Sequence, residues 1–487
     1  MLRAELALVL VLGGCAPKPV EPKQETKPMT VVERGLAFYG TRVYYEQPVV
    51  ATEVPEGLKD LTAETCGVCH QAIYEEWSVS THRRAWLDDA QFQKELAKSR
   101  GVGDPSRGDV SWLCVNCHTP VVAQLENLVV RLGNGRISEP EYAGNPTFDR
   151  ALQLDAVTCA TCHVRNGIIY GPFGDTNAPH PTAKDDALRG VGVCIRCHEA
   201  ERLYTSENLG CFFSTGREWA ESSYSKTGQT CQSCHMPEVE RTLAAGFGTP
   251  IRMTRRHWFG GSLIPKKPEY EAEVAPLREV YGNGLTITLQ EVTPELRTLA
   301  AQAPALAPED QAVAVKKSIA CDRCRDEIAV VITNDRAGHY MPTGDPERHI
   351  DVEVAVRVGR KAVARTWTRI GSRYAWWPEI ELLADTRVPP GEQRVLIVPV
   401  PSEGEVEVVA TKARMYRQAF DYHHLKGQYV RSREFFRKRI RIADLYDSAY
   451  PEMGVRTQRL SPGTHRPSTP STGNTKKIRS QVPVTPR

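Results

Sequence analysis

Five times between residues 66 and 235 the chain places two cysteines three positions apart and follows them at once with histidine. The copies are "CGVCH" (Cys66, Cys69, His70), "CVNCH" (Cys114, Cys117, His118), "CATCH" (Cys159, Cys162, His163), "CIRCH" (Cys194, Cys197, His198) and "CQSCH" (Cys231, Cys234, His235). Zinc, a redox disulfide and covalent haem all use paired cysteines. Zinc gathers two pairs, or a pair and a spaced histidine pair, around one ion, whereas here a histidine follows each pair directly. A single CxxC inside a βαβ unit would suit redox exchange; five copies do not. Haem fits the whole pattern: the two sulfurs form thioethers with the vinyl groups, and the adjacent histidine reaches the iron as proximal ligand. The spacing therefore predicts five covalent c-type haems.

A haem that only passes electrons has both axial positions filled, so a second set of ligands is expected among the histidines outside the motifs. These are His82, His180, His257, His339, His349, His423, His424 and His465. His82 lies in a helix-compatible stretch with Trp77 and Trp86 able to pack on porphyrin faces. His180 sits in a Pro-flanked loop, and His257 precedes Gly260 and Gly261, which permit close backbone approach to a ring. His339 either ligates or braces a turn. These four are the distal candidates; His423, His424 and His465 read as structural or surface residues. Met236 directly follows a proximal histidine and cannot reach the opposite face of the same haem.

The remaining cysteines need separate accounts. Cys321 and Cys324 form "CDRCR", where arginine replaces the histidine a haem would need, so a local disulfide is expected. Cys211 reads as a buried free thiol. The opening "MLRAELALVLVLGGC" reads as a lipoprotein signal over residues 1–14, with Cys15 acylated. Its apolar run is too short to span a bilayer as a helix.

Stepping outward from these groups, the elements that must carry them divide by pattern. Residues 15–58 read as a flexible Pro/Lys-rich tether and lead-in, and 59–268 as a pentahaem domain of short helices and irregular chain wrapped around cofactors. From 280 to 430, apolar/polar alternation in "LTITLQEV", "EIAVVITN", "IDVEVAVRV" and "RVLIVPVP" predicts an all-β sandwich. A charged helix is expected over 431–450, and a Ser/Thr/Pro-rich disordered tail over 451–487. The fold class is thus a mostly α, irregular multihaem domain followed by a β-sandwich-like domain.

The net charge of +3 offers no basic field, so nucleic acid is not expected as partner. Ionised propionates on five haems would add roughly ten negative charges. "CGVCHQAIYEEWSVSTH", "CATCHVRNG", "CQSCHMP" with the later "HWFGG", "TNDRAGHYMPTGDPERHI" and "DTRVPPGE" resemble the multihaem c-type cytochromes of the cytochrome c-554 and c-prime family that carry a C-terminal β-sandwich. "CDRCR" has no clear counterpart there. The resemblance implies extracytoplasmic electron transfer through closely packed haems, with His82 and His257 as distal ligands. The expected setting is a lipid-anchored protein at the periplasmic face or cell surface, with the outer membrane favoured, exchanging electrons with donor and acceptor proteins. The alternative is a reductase or oxidase of a small nitrogen or sulfur compound at one five-coordinate haem.

Overall fold

The computed structural model describes residues 28–174, 177–414 and 429–446. The signal, Cys15, His423, His424, His465 and the tail from 451 lie outside the described residues. Of the tether and lead-in expected over 15–58, residues 15–27 lie outside the described residues and the rest holds a helix. Thr30 and Glu33 form a capping box, with the Thr30 hydroxyl accepting from the Glu33 amide at 3.2 Å, and start the helix Val31–Gly40. That helix buries Tyr39 against Trp112, Leu128 and Val129. The composition of the first part concealed an amphipathic turn sequence with a partner elsewhere in the chain.

The motif-bearing region is built from short helices. Cys66 is the penultimate residue of the helix Ala63–Gly67, and the other copies lie on Ser111–His118, Cys159–His163, Gly192–His198 and Cys231–His235. Cysteines three apart share one face of such a turn, which presents both sulfurs to a single plane. Between the helices run small antiparallel hairpins, Glu199–Tyr204 with Leu209–Ser214 and Glu238–Thr242 with Ile251–Arg255. Apolar burial here is divided among separate small clusters, one around Tyr39, Trp112 and Leu128 and another around Leu61, Leu152 and Ala160.

The C-terminal region is two antiparallel sheets. One runs Thr286–Glu291, Asp326–Thr333, Gln393–Val400; the other runs Glu381–Asp385, Lys361–Ala375, His349–Val358, Glu405–Ala413, Ser432–Arg441. Ile328, Val330 and Ile332 face Val352, Val354 and Val408 in one continuous core. The alternate residues Ala329 and Val331 are buried too, against Leu296 of the helix Pro294–Ala301. Full burial of each aliphatic side chain stabilises by about 1.5–3 kcal/mol.

The helix expected over 431–450 is instead the edge strand Ser432–Arg441, followed by one short helix, Ile442–Tyr446. A register shift opposite Ala410 and Thr411 absorbs the doubled aromatic Phe435–Phe436. That bulge breaks the two-residue period by which a strand is recognised in sequence. The described residues pack as a single unit.

Candidate haem-binding sites

The motif histidines are oriented by the chain around them. The Nδ1 of His70 bonds the Leu243 carbonyl at 2.8 Å, that of His118 the Ala85 carbonyl at 2.7 Å, and that of His163 the Tyr170 carbonyl at 2.7 Å. His235 Nδ1 likewise bonds the Gly260 carbonyl. An Nδ1–H donated to a carbonyl fixes the tautomer and leaves the Nε2 lone pair free for a metal. Burial lowers the imidazole pKa to about 4 at His118 and His198, and lowers it at His163 and His235. The neutral ring is the form that ligates iron.

Three further histidines stand opposite motif histidines. His82 and His198 have ring centres 6.4 Å apart, His163 and His257 6.3 Å, and His235 and His339 6.1 Å. Two imidazoles sharing one metal at about 2.0–2.1 Å, with ring centres about 1.1 Å further back, would be separated by about 6.3 Å. The gaps therefore fit an axially ligated iron. Burial drives the pKa of His82 and His257 down to about 3 and that of His339 to about 4. His180 is within electrostatic reach of His70. Its loop closes onto Gly57, where a Cβ would lie 2.0 Å from the Pro179 carbonyl oxygen and where φ is +86°.

His118 differs from the others. Its ring face stacks on Phe92 at 3.5 Å and 5°, and its charged neighbours are Asp89 and Lys266, which form a buried ion pair. Among the described residues no histidine is paired with it. His349 lies within the β region, with Nδ1 bonded to the Glu347 carbonyl at 3.1 Å.

None of the ten motif cysteines is in a disulfide, and cysteines of different motifs lie side by side. Cys66 lies beside Cys159, Cys117 beside Cys197, and Cys194 beside Cys231. The first motif thus adjoins the third, and the fourth adjoins both the second and the fifth. Among the described residues no three His, Cys, Asp or Glu side chains converge on a metal position, as a zinc site would require. Cys321 and Cys324 form a disulfide with Cα atoms 5.5 Å apart, and Cys211 is a free, partly buried cysteine.

Some contributors carried no sequence signal. Phe259, at φ +47°, lies 4.5 Å from the His82 ring and 5.6 Å from that of His257. Gly260 does approach an aromatic ring closely, but it is Tyr281, whose hydroxyl donates to the His235 carbonyl at 2.9 Å. Single aromatics of this kind look like any core residue until the chain is folded.

Residues 65–137 match the family described as cytochrome c554 and c-prime. The chain also shares its fold with a solved penta-haem cytochrome c552 from Thermochromatium tepidum, with TM-score 0.51 and 16% identity, over 80% of this chain and 100% of that one. No curated protein matches the chain. These findings liken the chain to multihaem c-type cytochromes, and its fold has a helical N-terminal part and a C-terminal β part.

Proposed function

We propose that the chain binds five haems and passes electrons among them. Cys66 and Cys69, Cys114 and Cys117, Cys159 and Cys162, Cys194 and Cys197, and Cys231 and Cys234 are the thioether anchors. His70, His118, His163, His198 and His235 are the proximal ligands. The distal partners are His180 for His70, His257 for His163, His82 for His198 and His339 for His235. The observation that carries this reading is the set of histidine pairs at 6.1–6.4 Å. Haem supplies the one-electron couple, and the protein tunes it through ligands, hydrogen bonds and burial. The neighbouring cysteines keep attachment points close, which favours hopping between the first and third motifs and among the second, fourth and fifth.

A pyridine haemochrome assay should return five haems per chain, and fewer would sink the count. Acylation at Cys15 would tether the protein at an extracytoplasmic membrane surface, beside its redox donor and acceptor proteins. Globomycin should then leave a larger precursor, and an unchanged size would remove the anchor. Among the described residues, no helix is long and apolar enough to cross a membrane.

A second reading has one five-coordinate haem, at the motif for which no distal ligand is assigned above, that of His118. An open position there would admit a small nitrogen or sulfur compound and make that iron a reductase or oxidase centre. Electron paramagnetic resonance separates the readings. Solely low-spin signals favour pure electron transfer; a high-spin signal shifted by nitrite or hydroxylamine favours catalysis.

A further inference from the structure

We propose that two buried carboxylates, Glu76 and Glu218, are positioning residues that hold the distal histidines His257 and His339 and bias the potentials of the irons they serve. The proposal rests on the axial assignments above. Glu76 is 5% exposed and belongs to the helix Gln71–Ser78, which directly follows the first motif. It accepts from Arg241 Nη1 and Nη2 at 2.7 and 3.1 Å, from Arg256 Nη1 at 2.7 Å, and from the backbone amide of His257 itself at 2.9 Å. Arg241 Nη2 also donates to the Arg255 carbonyl at 3.0 Å, the same carbonyl that bonds His257 Nδ1 at 2.9 Å. One carboxylate thus fixes the backbone at the ligand and the residue before it and, through Arg241, the acceptor that sets its tautomer.

Glu218 repeats the device in a different place. It is 4% exposed on the helix Thr215–Glu221. It accepts from the Tyr340 amide at 3.1 Å, Thr343 Oγ1 at 2.6 Å, Ser214 Oγ at 3.1 Å and Arg387 Nη1 at 2.6 Å. Tyr340 follows His339, and its carbonyl bonds His339 Nδ1 at 2.9 Å. In each case an acidic side chain that follows one motif, the first for Glu76 and the fourth for Glu218, clamps the distal-ligand segment that serves a later one. His82 is held differently: its carbonyl accepts from the Ala85 and Val157 amides. A buried negative charge beside an iron favours the oxidised, more positive state, and its arginine partners oppose that preference.

The test uses the full-length, haem-loaded protein, with a redox titration followed by electron paramagnetic resonance. Glu76→Gln preserves shape and removes charge. It should raise the potential of the His163/His257 iron enough to change its oxidised-to-reduced ratio at least tenfold at a fixed poise, which is about 59 mV for one electron. Arg256→Gln should move the same iron the opposite way and by less, and Glu76→Asp should recover part of the wild-type value. Glu218→Gln should raise the His235/His339 iron alone. A purely structural role predicts no reversal of sign. Unchanged potentials, or shifts of one sign in both the glutamate and arginine variants, overturn the proposal. If Glu76→Gln fails to accumulate, Arg256→Gln decides by the same criterion: a downward shift supports the assignment and no shift refutes it. The haemochrome count of the unaltered protein separately tests the haem reading, so the two failures are distinguishable.

Discussion

The motif-bearing region and the β region solve the problem of burial in opposite ways. In the β region one continuous apolar core lies between two sheets, and strand Asp326–Thr333 is buried on both faces. In the motif-bearing region small clusters are separated by cysteine and histidine pairs spaced for a cofactor. A β-sheet stores its fold in the polypeptide; the other region stores part of it in groups the polypeptide must acquire. The first should tolerate loss of a contact in proportion to the atoms removed, and the second should respond to loss of an attachment point out of proportion to its size.

The largest expected effect comes from Cys197→Ser, because the fourth motif lies beside both the second, at Cys117, and the fifth, where Cys194 neighbours Cys231. The variant should lose haem at its own motif and disturb its neighbours, with a fall in holoprotein yield. Limited proteolysis would then digest the motif region and leave a protected fragment containing residues 326–400. Equal digestion of the whole chain would break the comparison, since the two regions would then depend on one another for folding.

The β region should give a graded answer. Ile332 is fully buried in the core between the sheets, so Ile332→Ala removes packed atoms and leaves a cavity. A loss of about 2–5 kcal/mol is expected, read by denaturant titration of sheet signals. The haem absorption and low-spin resonances should stay unchanged below the transition. A change in axial ligation at native conditions would show that the core and the iron sites are more tightly linked than their separate clusters imply.

Ligand substitutions sharpen the comparison within the motif region. His257→Ala should convert one iron towards high spin while leaving the covalent haem count intact, and His82→Ala should do the same at a different iron. Their effects should add, because each opposes a different motif histidine, His163 and His198. If the double variant shows only one high-spin centre, the pairing is wrong.

How much of this was legible beforehand follows the range of the interactions. The CxxCH motifs are local and covalent in purpose, so five short strings revealed cofactor and attachment chemistry. Most strands of the β region were visible because alternation is a local property too. The partner of each distal histidine was not visible: His82 lies twelve residues beyond His70 yet faces His198. Glu76 gave no sign, because its partners Arg241 and Arg256 arrive from a distant hairpin. The strand Ser432–Arg441 read as a helix because Phe435 is the extra residue of a bulge, and a one-residue insertion erases a two-residue period.

The smallest expected effect is at Cys321 and Cys324, and it tests the comparison from the other side. Their disulfide closes a loop of only four residues, for which the chain-entropy contribution is at most about 2 kcal/mol. Cys321 also packs against the β core, so serine there would lose apolar contact, whereas Cys324 is not among the residues packed on that core. Cys324→Ser therefore isolates the crosslink, and Cys321→Ser adds a packing loss. The expected order in denaturant titration is wild type most stable, then Cys324→Ser, then Cys321→Ser, with haem content equal in all three. A fall in haem content would mean that "CDRCR" participates in cofactor attachment, and the division between a region that carries its own core and one that acquires part of it would have to be redrawn to place residues 321–324 on the cofactor side.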